Sequence, residues 1–496
     1  MNENKTNKNW EQFQRLSEQG NFIPVYQQWP ADLDTPVSAW YRVCRGQPYS
    51  FLLESVEGGE RIGRYSVLGC DPLWVLTAWG EDCQQVFRDG REQHWSGQPF
   101  QVIQKCLAPY QPVTVPELPP GLGGLFGFWG YELIRWIEPT VPVVGRGDLP
   151  DGCWLQMDHL LVFDQVRRQI WAVAYGNVQN GDVRRAYEYA QDKVQQLLAK
   201  LQQPLAPEST HMVWQAGGRS LDIASDTTAQ EFQSGVEQAK EYIRRGDIFQ
   251  VVLSQELSTS YQGDPFLLYR SLRLVNPSPY MAFFQFGDWQ LIGSSPEVMV
   301  KTEGRLATLR PIAGTRPRGN SPAQDDQLAQ ELLSDPKEVA EHIMLVDLAR
   351  NDLGRVAQRG TVQVDQMMVI EKYSHVMHIV SNVTGTLAGQ FNAWSALQAC
   401  FPAGTVSGAP KIRAMQLIYE LEQRHRGPYA GCYGYYDFEG QLNTAITLRT
   451  MVLSQGRVRV RAGAGVVADS DPQREYQETW NKARGLLTAI AALGEG

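Results

Sequence analysis

The sequence predicts a large protein with two strand-bearing regions joined by a helix and a linker. Three observations carry this. The chain has 496 residues, more than one hydrophobic core usually supports. Residues 20–180 alternate short apolar and aromatic runs with Gly and Pro, the look of antiparallel strands and tight turns. Residues 228–490 mix helical and strand patterns after a polar break at 181–227. Hydrophobic residues make up 43% and charged residues 20%, a globular composition that excludes disorder. Lys plus Arg number 45 against 54 Asp plus Glu, a net charge of −9, the wrong sign for a protein that coats nucleic acid or an anionic membrane.

The opening "MNENKTNKNWEQFQRL" has neither an apolar signal core nor an Arg-rich amphipathic pattern, so a cytoplasmic location is expected by default. "YSFLLESVEGGERIGRYSVLG" and "HLLVFDQVRRQIWAVAYG" read as strand pairs. The apolar run Gly121 to Tyr131 falls well short of the roughly 20 residues of a membrane span, and Glu132 and Arg135 follow it. Asp182 to Gln203 switches to helical spacing through Ala186, Ala190, Val194, Leu197 and Leu201, and the polar sequence that follows reads as the linker. Thr228 to Arg245 reads as a helix closed by Gly246-Asp247 and feeding the strand "IFQVVLSQELS". Seven scattered cysteines with no C-x-x-C pair read as reduced packing residues, not as a disulfide framework or zinc cluster.

Chemistry concentrates in the second region. "DPKEVAEHIMLVDLARND" and "DPQREYQETWNKARGLL" both open Asp-Pro, a cap followed by proline at the first helical position. Each then sets two glutamates three apart on one face, Glu338 with Glu341 and Glu475 with Glu478. Acidic residues suit the first turns of any helix, yet two matched pairs of like charge could also converge on one hard divalent cation such as Mg2+. "VRVRAGAGVVADSDP" fits G-x-G-x-x-A only weakly, because the helix waits until Pro472 and no second strand follows. A glycine turn offering backbone N–H groups to a carboxylate is the better functional reading, and plain hairpin chemistry the alternative. "CFPAGTVSGAPKIRAMQLI" lacks the order of a nucleotide triphosphate loop and leads into a helix near Pro410. In "SHVMHIV", read as a strand, His375 and His378 point to opposite faces and cannot share a metal.

Together "IFQVVLSQ", "GSSPEVMV", "PIAGTRPRG", "YSHVMHIVSNVTG" and the blocks above resemble the chorismate-utilising enzymes, nearest to their anthranilate-forming large components, from about Phe22 to Leu487. The resemblance implies an α+β fold in which large antiparallel sheets pack face to face with helices on the outside. It implies that Glu341 and Glu478 hold Mg2+, with Glu338 and Glu475 assisting. It implies that chorismate rests on Arg449, Tyr429 and the backbone of Gly463, Ala464 and Gly465, near Thr405 and Lys482. Glu297 matches the family's general acid and His378 the residue of the elimination step. Isochorismate and salicylate synthases place lysine where Gln250 stands, and aminodeoxychorismate synthases place a nucleophilic lysine where Ala313 stands. Amination by ammonia therefore remains, giving anthranilate. The chain has no amidotransferase elbow, so a glutamine amidotransferase subunit is implied, in a heterodimer or heterotetramer. Leu53, Glu54 and Ser55, together with Pro279, Tyr280 and Met281, match a feedback pocket for L-tryptophan. The alternatives are an aminodeoxychorismate synthase or a silent tryptophan-sensing scaffold.

Overall fold

Two twelve-stranded sheets frame the molecule, and every strand pairing within them is antiparallel. The structure is a computed structural model and describes residues 3–493 except 57–63, 117, 120, 122, 208–211, 216–217 and 374–375. The turn inside "LLESVEGGERIG" and His375 lie outside the described residues.

The first sheet runs from Phe22–Pro30 through Gln169–Asn177, His159–Asp164, Tyr65–Cys70 and Tyr49–Glu54 to Tyr280–Phe286, Trp289–Ser295, Thr450–Ser454, Arg457–Val466 and Gln250–Ser260. The second runs from Ile312–Pro317 through Val376–Thr386, Leu306–Leu309, Val298–Glu303, Leu442–Ile446 and Cys432–Asp437 to Gly124–Trp129, Gly152–Met157 and Trp74–Trp79. Both expected strand pairs form, Tyr49–Glu54 with Tyr65–Cys70 and His159–Asp164 with Gln169–Asn177. Each sheet takes strands from both sides of residues 181–227: Met281 stands opposite Glu54, and Cys432 opposite Trp129. The two strand-bearing regions of the sequence are therefore halves of shared sheets and not separately closed lobes, because the edge of each half is completed by the other.

The sheets pack face to face. Phe51 of the first stacks on Phe126 of the second with ring centroids 4.1 Å apart, and Trp289 meets Phe128 edge-on at 5.4 Å. Helices cover the outer faces. Val183–Leu201 and Pro265–Val275 bury their apolar stripes against the first sheet, in one cluster with Leu52, Leu161 and Phe283. Their starts obey local rules: Asp182, Asp264 and Thr228 cap their helices by accepting backbone N–H bonds, and Thr228 forms a capping box with Glu231. All seven cysteines are buried and free, as packing residues should be.

Candidate active site

Among the points where the chain crosses between the sheets, two are adjacent, and each of these carries a charged side chain. Trp289–Ser295 belongs to the first sheet and Val298–Glu303 to the second, so Glu297 lies at one crossing. Leu442–Ile446 and Thr450–Ser454 bracket the other, which holds Arg449. The crossings are tied together: the Ile446 N–H donates to the Glu297 carbonyl at 3.0 Å, and the Ser294 N–H donates to the Arg449 carbonyl at 3.1 Å. Arg449 has φ +47°, a left-handed conformation that costs a non-glycine residue about 1–2 kcal/mol.

Glu297 is buried between the sheets, and burial pushes its carboxyl up to about 8. The Thr405 hydroxyl, the Ile312 N–H and the Arg449 charge oppose that rise without cancelling it. Apart from Glu297, the buried Thr405 Oγ1 has no partner among the described residues. Glu297 and Thr405 line a cavity of about 40 Å³ with Gly404 and Arg310.

His378 comes from the strand Val376–Thr386 and faces Ile312–Pro317, where Thr315 stands opposite it. Its Nδ1 lies 2.9 Å from the Gly314 carbonyl and 3.1 Å from Thr315 Oγ1. A carbonyl only accepts, so Nδ1 carries the proton and Nε2 keeps its lone pair. Burial lowers the imidazole's pKa and the nearby Arg449 charge adds to this, outweighing the Gly314 carbonyl and Glu371, which oppose it.

Gln250, Tyr429 and the glycine segment meet on the first sheet. The expected glycine turn is a strand, Arg457–Val466, with Gly465 opposite Val252 and Gly463 opposite Ser254. Its glycines serve close approach: a Cβ on Gly463 would lie 2.6 Å from the Tyr429 hydroxyl, and one on Gly465 would lie 2.7 Å from Gln250 Nε2. Thr450–Ser454 pairs with this strand only up to Val460, leaving Arg461 to Val466 without a described strand on that side. Lys482 Nζ donates to the Gly463 carbonyl there at 3.0 Å. In a strand the N–H and C=O of one residue point the same way and alternate along the chain, so Gly463 and Gly465 both aim their N–H groups at that open edge while Ala464 faces away. Gln250 is buried, and its Oε1 has no partner.

The two Asp-Pro helices form as expected, Pro336–Gly354 capped by Asp335 and Pro472–Ala491 capped by Asp471. They converge at Glu341, whose carboxyl is raised by burial and by Glu338 and Glu475, while Lys482 and Lys337 oppose the rise. The four glutamates do not close on one point. Arg316 Nη1 stands 3.2 Å from Glu338, Lys482 Nζ stands 3.7 Å from Glu478, and among the described residues no group of three or more His, Cys, Asp or Glu is gathered tightly enough to hold a metal. Like charges repel, and Glu338 turns to Arg316 from the strand Ile312–Pro317 while Glu478 turns to Lys482 one helical turn on. An all-carboxylate set around a buried acid that its neighbours disfavour still fits a hard cation. Arg316 and Thr315 escaped the sequence reading, although both follow Ala313 directly in "PIAGTRPRG".

The segments expected to form the feedback pocket also come together. Glu54 stands opposite Met281 and Leu53 opposite Ala282, and the Val56 N–H donates to the Ser278 carbonyl at 3.3 Å, which brings Ser55 and Pro279 to one end of these strands. Glu54 is buried, bonded by Tyr269 and paired with Arg273 Nε at 3.1 Å.

The model of the chorismate binding enzyme family matches residues 49–488. The chain belongs to this family. It is 62% identical to anthranilate synthase component 1 of Synechocystis sp. over 97% of this chain and 98% of that one. It is 44% identical to the same component of Acetivibrio thermocellus over 96% of each. Anthranilate synthase component I of Streptococcus pneumoniae superposes with a TM-score of 0.77 at 37% identity, covering 93% of this chain and 99% of that one. The menaquinone-specific isochorismate synthase of Escherichia coli has the same fold, with a TM-score of 0.71 at 20% identity over 98% of this chain and 99% of that one. The α+β architecture expected from the sequence is thus the architecture of this chorismate-binding enzyme. No described helix is long and apolar enough to cross a membrane.

Proposed function

We propose that the chain is the large component of an anthranilate synthase, which aminates chorismate and eliminates pyruvate to give anthranilate. The observation that carries the reading is Gln250: a buried, unionisable amide stands where hydroxylating relatives need a base. Buried Ala313 cannot act as a nucleophile, which argues against an aminodeoxychorismate synthase.

In the first step ammonia forms the N–C2 bond, the ring double bonds shift, the C4–O bond breaks, and Glu297 gives its proton to the departing hydroxyl, which leaves as water. In the second, His378 Nε2 takes the proton from C2, the C3–O bond breaks with its electron pair going to oxygen, and pyruvate leaves as its enolate, which is then protonated, as the ring becomes aromatic. Arg449, the Tyr429 hydroxyl and the Gly463 and Gly465 N–H groups hold the enolpyruvyl carboxylate, with Lys482 and Thr405 beside them. Glu341 and Glu478, with Glu338 and Glu475, would hold Mg2+, which when bound supplies electrostatic clamping of the ring carboxylate. A glutamine amidotransferase subunit supplies the ammonia in the cytoplasm, and L-tryptophan binds at Leu53 to Ser55 and Pro279 to Met281 as feedback inhibitor. Fluorescent product from chorismate, Mg2+ and ammonium tests the reading, and a silent tryptophan-sensing scaffold would give none.

A further inference from the structure

The strands Tyr280–Phe286 and Trp289–Ser295 form a hairpin whose open end places Tyr280 opposite Ser295. A side chain from the other sheet ties that end. The buried Tyr433 hydroxyl accepts the Ser295 N–H at 3.1 Å and donates to the Tyr280 carbonyl at 2.7 Å. Gly293 makes room, since a Cβ there would lie 2.7 Å from that oxygen. A second tie runs beside it: Ser278 Oγ donates to the Ser295 carbonyl at 2.6 Å. From Ser295 the chain reaches Glu297 in two residues, and Ser295 Oγ donates to the Glu297 carbonyl at 3.2 Å.

We propose that Tyr433 is a positioning residue: its hydroxyl sets the place of Glu297 according to how the Pro279–Met281 segment is held. The inference rests on reading that segment as the tryptophan site and Glu297 as the general acid. The geometry favours a relay because each link is a backbone group held by a hydroxyl, and at a crossing between sheets the backbone is not fixed by a ladder on both sides. A tryptophan that shifts the Tyr280 carbonyl must either break its bond to Tyr433 or draw the Ser295 amide with it. An acid displaced by about 1 Å loses on the order of 100-fold in rate with little change in substrate affinity.

Tyr433→Phe keeps the ring in the core and removes the tie. Three quantities are measured on the full chain: tryptophan affinity by calorimetry, kcat and KM for chorismate with ammonium, and residual activity at saturating tryptophan. The expected result is a kcat lowered about 10-fold or more with KM within about two-fold. Tryptophan affinity should stay within about two-fold, while saturating tryptophan inhibits far less completely than in the wild type, because a coupling of about 5- to 150-fold is lost. A purely structural tyrosine would lower thermal stability and leave the wild-type kcat and full inhibition intact, which overturns the proposal. Loss of tryptophan binding itself also overturns it, by making Tyr433 part of the pocket. A wild-type chain that neither binds nor responds to tryptophan sinks the reading of the pocket, and the kcat-against-KM split still decides the positioning role. If Tyr433→Phe does not fold, Ser278→Ala cuts the parallel tie, and unchanged kcat and inhibition there count against the relay.

Discussion

Replacing Glu297 by glutamine should make the protein more stable and nearly inactive. The native carboxyl titrates at about 8 because burial outweighs Thr405, the Ile312 N–H and Arg449, whereas the unfolded value is near 4.5. At pH 7 those values put about 90% of the native side chain in the acid form, against roughly 0.3% for a solvated one. The folded pKa is raised, so the native state keeps a proton that the unfolded state releases. The associated stability is fully present below about 4.5 and is lost as pH rises through about 8. Relative to the low-pH limit, or to an amide that does not titrate, the cost reaches about 3 kcal/mol at pH 7. Glu297→Gln removes that titration and keeps the shape, so denaturant unfolding at pH 7–8 should show stability gained. Anthranilate formation, followed by fluorescence with free ammonia held constant across pH, should fall by about 10²- to 10⁴-fold, the usual contribution of a general acid. In the wild type, kcat/KM should fall as pH rises through about 8, and the mutant should lack that limb. A mutant with wild-type turnover, or one that loses both stability and activity, would refute the assignment.

Glu341→Gln and Glu478→Gln should each cut turnover more than 100-fold while the protein stays folded, since removing one of several like charges relieves repulsion; calorimetric titration with Mg2+ should show the lost affinity, and full activity at ordinary Mg2+ would remove these residues from the site. Ser55→Phe should raise the tryptophan concentration for half-inhibition at least about 10-fold and leave chorismate kinetics within two-fold, the bulky side chain acting by overpacking; unchanged inhibition would mean the pocket lies elsewhere. Gln250→Lys should lower anthranilate formation about 100-fold, because it puts an ammonium into a buried site that the neutral amide fills. Chromatography of the products then shows whether isochorismate or salicylate replaces anthranilate. Gly463→Ala should raise KM for chorismate at least about 10-fold, because its Cβ would lie 2.6 Å from the Tyr429 hydroxyl; an unchanged KM would separate that contact from substrate binding.

Local rules made much of this legible. Asp335-Pro336 and Asp471-Pro472 announce their helices because the cap and the proline act within four residues, and the alternation around His378 announces its strand. Pairing across the chain was not legible. Nothing near Cys432 says that it faces Trp129, and nothing near Met281 says that it faces Glu54. A reading that divided the chain at residues 181–227 therefore separated strands that share sheets. The Gly463–Gly465 segment suggested a turn because glycine is permissive, but here the missing Cβ admits a tyrosine hydroxyl and a glutamine amide, both supplied from distant sequence. The matched glutamate spacing placed the four carboxylates on two helices, and the i,i+4 spacing of Glu478 and Lys482 was legible as well, while the countercharge from Arg316 to Glu338 depends on three-dimensional packing.

The two adjacent crossings at Glu297 and Arg449 explain why an acid and a cation can share this site. A residue inside a strand has its backbone fixed by neighbours on both sides and its side chain assigned to one face. At a crossing that constraint lapses, and Arg449 adopts a left-handed backbone that no strand would accept. The same position puts Glu297 between two apolar sheets, where the surroundings that desolvate it also keep it protonated. Arg449 lies close enough to restrain that rise and to lower the pKa of His378. One guanidinium thus biases the acid toward giving its proton and the imidazole toward remaining a base, and the groups need opposite protonation states in the two steps of the reaction. A protein of net charge −9 can also receive a dianion here, since Arg449 and Lys482 stand at the crossing and the open strand edge.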